Sequence, residues 1–458
     1  MRLVSVLSLF VLTACVPSPG ADVSMNAARS IALPAPAASA ATARFGLSRA
    51  QGPSRANAEI AQNFLDLAFR MESGREVPRF SRFEGPVTVR LAGQVPGAAA
   101  TDFDRLLGRL RAEAGIDIRE TTASDAGITI EFLPRARIQA TYANVACFVI
   151  PRVSSWAEFQ QVRGSAATDW TTLSRRERVA IFVPSDGSPQ EARDCLHEEL
   201  AQALGPLNDL YRLSDSVFND DNFHNTLTGF DMLILRAYYS PELRSGMSRA
   251  EVARRLPGIL DALNPAGRRP GQPDGALTPR VWTNAIETAL SGRQSVAARA
   301  DAAANAVSIA RAQGWTDSRL ALSYFALGRL TLGRDPSAAE AAFAEAGRIW
   351  RSLPGGEVHL AHVDMQMAAL ELTRGRFVAA MEHADNAIPV VARAENAALM
   401  ATLLMVKSEA AEALGRPAEA MAHRLDSAGW ARYGFGSDAQ VRARSAEVAA
   451  LARRGGRG

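Results

Sequence analysis

The chain has 458 residues, 47% of them hydrophobic and 22% charged, a composition that excludes a disordered tail. Lys plus Arg number 51 and Asp plus Glu 48, a net charge of +3, which leaves no electrostatic footprint for nucleic acid. Length alone suggests about two to three domains.

Met1-Arg2 is a short basic start, and Leu3 to Leu12 is an apolar run. Ten residues are too few to span a bilayer but suit a signal h-region. Leu12-Thr13-Ala14-Cys15 follows. Small residues before a cysteine this close to the start resemble a lipobox, which implies cleavage after residue 14 and lipidation of Cys15. An ordinary signal peptide cleaved after Ala14 is the competing reading. No later segment is apolar enough to span a membrane, so the expected location is the cell envelope, lipid-anchored and facing the periplasm. By resemblance to bacterial lipoproteins, Val16 after the cysteine favours the outer membrane.

Residues 15–55 are rich in Ala, Pro, Ser and Gly, as in Val16-Pro17-Ser18-Pro19-Gly20 and Leu33-Pro34-Ala35-Pro36. This composition predicts a flexible tether. Ile60, Phe64, Leu67, Ala68 and Met71 recur at helical spacing, which predicts a helix over 57–71. A strand is expected at Val87–Leu91, then a helix from Thr101 to Ala114 with Phe103, Leu106, Leu107 and Leu110 on one face. Four strands follow, at Ile116–Arg119, Ile128–Phe132, Cys147–Ile150 and Val179–Val183. Ser188-Pro189-Gln190-Glu191 carries an N-cap Ser, Pro at the first helical position and a Glu to close a capping box. That helix is expected to end at Leu204, before Gly205-Pro206. The fold class is therefore α+β, a mixed sheet with two main helices. Thr228 with Asp231, and Ser248 with Glu251, open two further helices that complete a domain over 56–263.

Residues 264–279 collect Pro and Gly and read as a linker. From 280 to 458 the pattern is helical. Gly333, Gly375 and Gly415 each close one Ala-rich helix and precede another, 42 and 40 residues apart. Ala339, Phe343 and Ala346 follow the first, and Ala380, Ala384 and Ala387 the second. This resembles degenerate tetratricopeptide repeats and implies an all-α helical solenoid. A generic helical bundle is the alternative.

The chemistry-bearing stretch is Cys195-Leu196-His197-Glu198-Glu199-Leu200-Ala201-Gln202, running on to Gly205, Asn208 and Asp209. A zinc-protease helix places two His four apart with a Glu between them. Ala201 breaks that register for His197. Shifting by one gives E-E-x-x-Q-x-x-G-x-x-N, with Ser216-Val217-Phe218 downstream and Thr228 to Tyr239 as a further helix. Over residues 85–245 this resembles the metzincin metallopeptidases with all three ligand histidines replaced. It is similar to an uncharacterised family of bacterial lipoproteins carrying the same signature. The resemblance implies the fold, puts Glu199 at the general-base place, Glu198, Gln202 and Asn208 at the metal places, and Gly205 where the chain turns back. Such an oxygen-rich set, with Asp209 beside it, suits calcium or magnesium better than zinc, and weakly. No cofactor is expected beyond such a degenerate metal site. The bland alternative makes these residues polar helix positions bonded to the turn at 208–209, with His197 on the surface and His224 in a loop.

With Cys15 lipidated, Cys147 and Cys195 are expected to form a disulfide. A buried thiol pair, or Cys195 as a soft ligand or redox thiol, stays open. The functional expectation is an envelope lipoprotein with an inactive metzincin-like domain and a helical-repeat platform for a protein or peptide partner. An atypical envelope metallopeptidase or hydrolase using Glu198, Glu199 and Gln202 is the alternative.

Overall fold

The computed structural model describes residues 52–455, except Asn144, Asp274, Gly275 and Arg293. Cys15, the signal segment and most of the expected tether lie outside the described residues. The end of that tether is held: Arg55 pairs with Asp215 at 2.6 Å.

Helix α1 (Asn57–Ala68) stops short of Met71. Strand β1 (Val87–Gly93), helix α2 (Gly97–Ala114) and strands β2 (Ile118–Glu120) and β3 (Ile128–Leu133) follow. Two short helices, α3 (Arg135–Gln139) and α4 (Trp156–Val162), flank β4 (Phe148–Pro151), ahead of β5 (Val179–Pro184). Helix α5 (Pro189–Leu204), α6 (Gly229–Tyr238) and α7 (Arg249–Leu263) complete this half. The sheet order is β2-β1-β3-β5-β4, parallel except for β4, which runs antiparallel at one edge.

Alternation along β5 builds two cores. Val179, Ile181 and Val183 join α2 and α5. Ala180 and Phe182 join Ile138, Trp156 and Phe159 on the other face. Only half of the expected capping box at α5 closes. Ser188 accepts from the Glu191 amide at 3.2 Å, but the Glu191 carboxylate is drawn to Arg135 at 2.5 Å. The boxes at Thr228 and Ser248 close fully. Gly205 is needed for proximity, not for the turn expected of it. Its φ is an ordinary extended −161°, while an added Cβ would lie 2.9 Å from the Tyr238 ring.

The C-terminal half is all helical: α8 (Arg280–Leu290), α9 (Val296–Ala312), α10 (Ser318–Thr331), α11 (Pro336–Arg351), α12 (Glu357–Thr373), α13 (Phe377–Arg393), α14 (Ala397–Ala413), α15 (Pro417–Phe435) and α16 (Asp438–Gly455). The small residues sit where close helix approach requires them: Ala339, Ala346, Ala380, Ala384 and Ala387 are all buried. Gly375 takes φ 73° at the end of α12, the left-handed turn that closes a helix.

The two halves share a core. Phe223, in the loop between α5 and α6, packs against Phe325, Trp350, His359 and His362 with ring centroids 4.6–5.5 Å away. Tyr211 meets the Trp282 ring edge-on at 5.1 Å. Asp221 bonds His359 at 2.8 Å, both fully buried. This aromatic face of the helices is filled by the chain's own loop, a use the repeat pattern did not suggest. Among the described residues no helix is long and apolar enough to cross a membrane.

Burial of Phe223 in the helical half couples the two folding units. Phe223→Ala should destabilise the protein by about 3–5 kcal/mol. Urea unfolding followed by far-UV circular dichroism and by tryptophan emission should shift together as one transition; two separated transitions would contradict the shared core.

Candidate functional site

Helix α5 is covered on nearly every side, and that decides the state of each polar residue on it. Arg176, fully buried and stacked on Trp170 at 4.9 Å, closes its C-terminus by donating to the carbonyls of Gln202, Ala203 and Gly205 at 2.5–2.7 Å. These are the unpaired carbonyls of the last turn. Arg193, with 2% of its side chain exposed, reaches the helical half. It donates to the Glu395 carbonyl at 2.8 Å and lies over the Tyr433 ring at 5.5 Å. Tyr433 in turn donates to Asp102 on α2 at 2.6 Å. Gln190 adds two bonds across the same seam, to Asn396 and to the Ala398 amide.

Cys147 and Cys195 form a disulfide, which ties α5 to the residue preceding β4. Closing a loop across a separation of 48 residues contributes about 2–4 kcal/mol.

His197 is buried, contrary to a surface placement. Its Nδ1 accepts from the Leu227 amide at 3.1 Å, which requires that nitrogen to be unprotonated. Burial, then Arg109, Arg193 and Arg105, push its pKa well down, so the ring is neutral. His224 is a loop residue, bonded to the Ser214 carbonyl at 3.0 Å.

The five signature positions do not converge. Glu199 is 1% exposed, and no described protein group donates to either of its oxygens. Burial, then Glu198 and Glu72, raise its pKa well above the usual carboxylate range. It is a neutral acid in the folded chain. Gln202 is buried with no acceptor for its Nε2. The amide of Asn208 is turned to α1, where it donates to the Asp66 carbonyl at 3.0 Å. Asp209 takes its place beside the glutamates. Its pKa is raised well up by burial, then by Glu72, Glu198 and Asp220, and neither of its carboxylate oxygens accepts a hydrogen bond from a described protein group. The bonds expected from Glu199 and Gln202 to the 208–209 turn are therefore not made.

Zinc, the metal implied by the resemblance, does not fit this donor set. Carboxamides stand where imidazoles are needed, and one of them is committed to Asp66. Among the described residues no three His, Cys, Asp or Glu side chains are placed to hold a metal ion. Ser216-Val217-Phe218 is a firm turn: Ser216 Oγ and the Val217 and Thr228 amides all donate to Asp231 at 2.5–3.2 Å.

Glu198 points elsewhere, into a cavity of about 390 Å³ between the two halves. Asp194, one turn earlier, lines it too, with the disulfide, Val217, Asn225, Phe435 and Arg444. Burial, then Asp220, Glu72 and Asp194, push the Glu198 pKa up to about 8. Asp194 and Glu198 share a helix face by their spacing, a legible signal. Glu72, Asp220 and Asn225 carried none, because only tertiary packing brings them to α5.

These raised carboxyls have a stability consequence. The folded chain holds their protons at pH values where the unfolded chain has lost them. Stability is full below the unfolded pKa near 4.5 and falls as pH rises, through about 8 for Glu198. Each fully buried group contributes a slope of at most about 1.4 kcal/mol per pH unit. The Tm should therefore drop between about pH 5 and 8. Glu199→Gln, neutral in both states, should flatten that drop and raise the Tm at the alkaline end. Thermal melts across the range check this, and a flat wild-type profile would contradict it.

Residues 57–258 match the family described as a protein of unknown function (DUF2927). That span contains all five strands, α1 to α6 and most of α7, and leaves the C-terminal helices outside. No curated protein and no solved structure matches the chain.

Proposed function

We propose that this is a cell-envelope lipoprotein anchored through Cys15, facing the periplasm from the outer membrane. Its first half is read as a metzincin-like domain that has lost catalytic chemistry, and its second as tetratricopeptide-like repeats. Its work is to bind a protein or peptide partner or to scaffold an envelope assembly, with the cavity between the halves as the binding seat. The observation carrying this reading is the burial of Glu199. A general base must reach a water and a substrate atom. Glu199 is 1% exposed and neutral. The order of strand, helix, four strands and helix supports the zincin-like part, as the paired helices from α8 onward support the repeats.

The hydrolase alternative has one feature in its favour, the opening of Glu198 on the cavity. It also needs Glu199 to act in that space, and Glu199 is sealed from it.

Palmitate labelling in the native host should mark the wild-type chain and not Cys15→Ala. Glu199→Gln should keep the wild-type set of co-purified envelope partners, and neither form should cleave a mixed peptide library. Cleavage that disappears in Glu199→Gln would remove the inactive-scaffold reading and install the hydrolase.

A further inference from the structure

The cavity has a definite chemical character. Exposed Asp186, Gln440, Ala443 and Glu447 surround its mouth, and buried Cys147, Cys195 and Ala398 lie on its wall. Two cations line it, and both are engaged. Arg135 is paired with Glu191 at 2.5 Å and Arg444 with Glu447 at 3.0 Å. Asp194 accepts from Arg193 at 3.2 Å and from Asn225 Nδ2 at 2.7 Å. Glu198 has no donor and no ion-pair partner among the described residues. Every charged neighbour that shifts it is another acid, Asp220, Glu72 and Asp194. The Asn225 Oδ1 is buried and accepts no hydrogen bond from the described protein groups. The lining thus presents one half-buried carboxyl with no protein donor, protonated while the site is empty and drawn to its ionised form by a bound cation, and one idle carbonyl, beside an apolar wall of disulfide, Val217 and Phe435.

A ligand that completes this site brings N–H donors and positive charge. A bare divalent ion demands more oxygen ligands than Glu198 and Asp194 supply, and no metal-holding trio is present among the described residues. An ammonium or guanidinium brings three to five donors, and a carbon stem behind it suits the apolar wall. The volume of about 390 Å³ lies in the usual range for small-ligand sites.

We infer that the cavity between α5 and the C-terminal helices binds an organic cation, a primary amine or guanidinium on an apolar stem, with Glu198 as its counter-ion and Asn225 Oδ1 as a second acceptor. This deepens the binding-seat reading above and rests on it. The same chemistry has two sources, a free polyamine-like molecule or the Lys or Arg side chain of a protein partner.

Isothermal titration calorimetry of the full mature chain tests the assignment. The probes are cadaverine, agmatine, and the tripeptides Gly-Lys-Gly and Gly-Arg-Gly, with Gly-norleucine-Gly as the uncharged control. At least one cation should bind and the control should not. Glu198→Gln should weaken binding by about tenfold or more. Ala443→Trp, which fills the mouth from the other half, should abolish it. Neither variant should lose Tm at pH 6: Ala443 is exposed, and Glu198→Gln removes a carboxyl whose raised pKa costs stability there, so its Tm should stay level or rise. Tighter binding of the tripeptides would identify a peptide source, and tighter binding of the free amines a small-molecule source. The inference is overturned if no cation binds below about 10 mM, or if Glu198→Gln binds as tightly as the parent. Either failure leaves the inactive-scaffold reading standing. Peptide hydrolysis lost in Glu199→Gln would remove that reading without bearing on cation binding.

Discussion

A helix enclosed on all sides keeps polar side chains only if each is paired, neutral or turned to a cavity, because a lone buried charge is too costly to retain. Helix α5 obeys this rule residue by residue. Arg193 is spent on Glu395 and Tyr433 of the helical half. His197 is a neutral acceptor for Leu227. Glu199 holds its proton. Glu198, whose neighbours are acids, faces open space. The joining of the two halves, the pH dependence of stability and the character of the cavity all follow from this one constraint.

The same enclosure separates two features that an active peptidase would unite. Glu199 lies inside the core, whereas the accessible space lies on the neighbouring face of the helix, at Glu198. Positions 198, 199 and 202 of α5 carry Glu, Glu and Gln, which offer no soft nitrogen donor. Asn208 bonds the Asp66 carbonyl, and the turn after α5 carries a structural load. That turn leads into the loop bearing Tyr211, Asp221 and Phe223, which fills the aromatic face of the helices.

Local signals read well. The pairs Thr228–Asp231 and Ser248–Glu251 mark helix starts that the structure reproduces with both bonds of each box. The strand positions are legible to within a residue or two, since each rests on alternation or a short apolar run along a contiguous segment. Helices α3 and α4, at five and seven residues, are too short to show a period. Ser188 and Glu191 form only half of the expected box because Arg135, 56 residues earlier, competes for the carboxylate. His197 looked like a surface residue because its partner, the Leu227 amide, is 30 residues away.

The amino-acid order by itself determined the strands, the longer helices to within a few residues, and the disulfide partners. Those follow from neighbours within a few residues, or from counting side chains of one type. Tertiary structure alone decided which acids are neutral, which histidines are acceptors and where the cavity lies. Those depend on the dielectric surroundings and on groups such as Glu72, Asp220 and Glu395, which adjoin α5 only after the two halves have packed together.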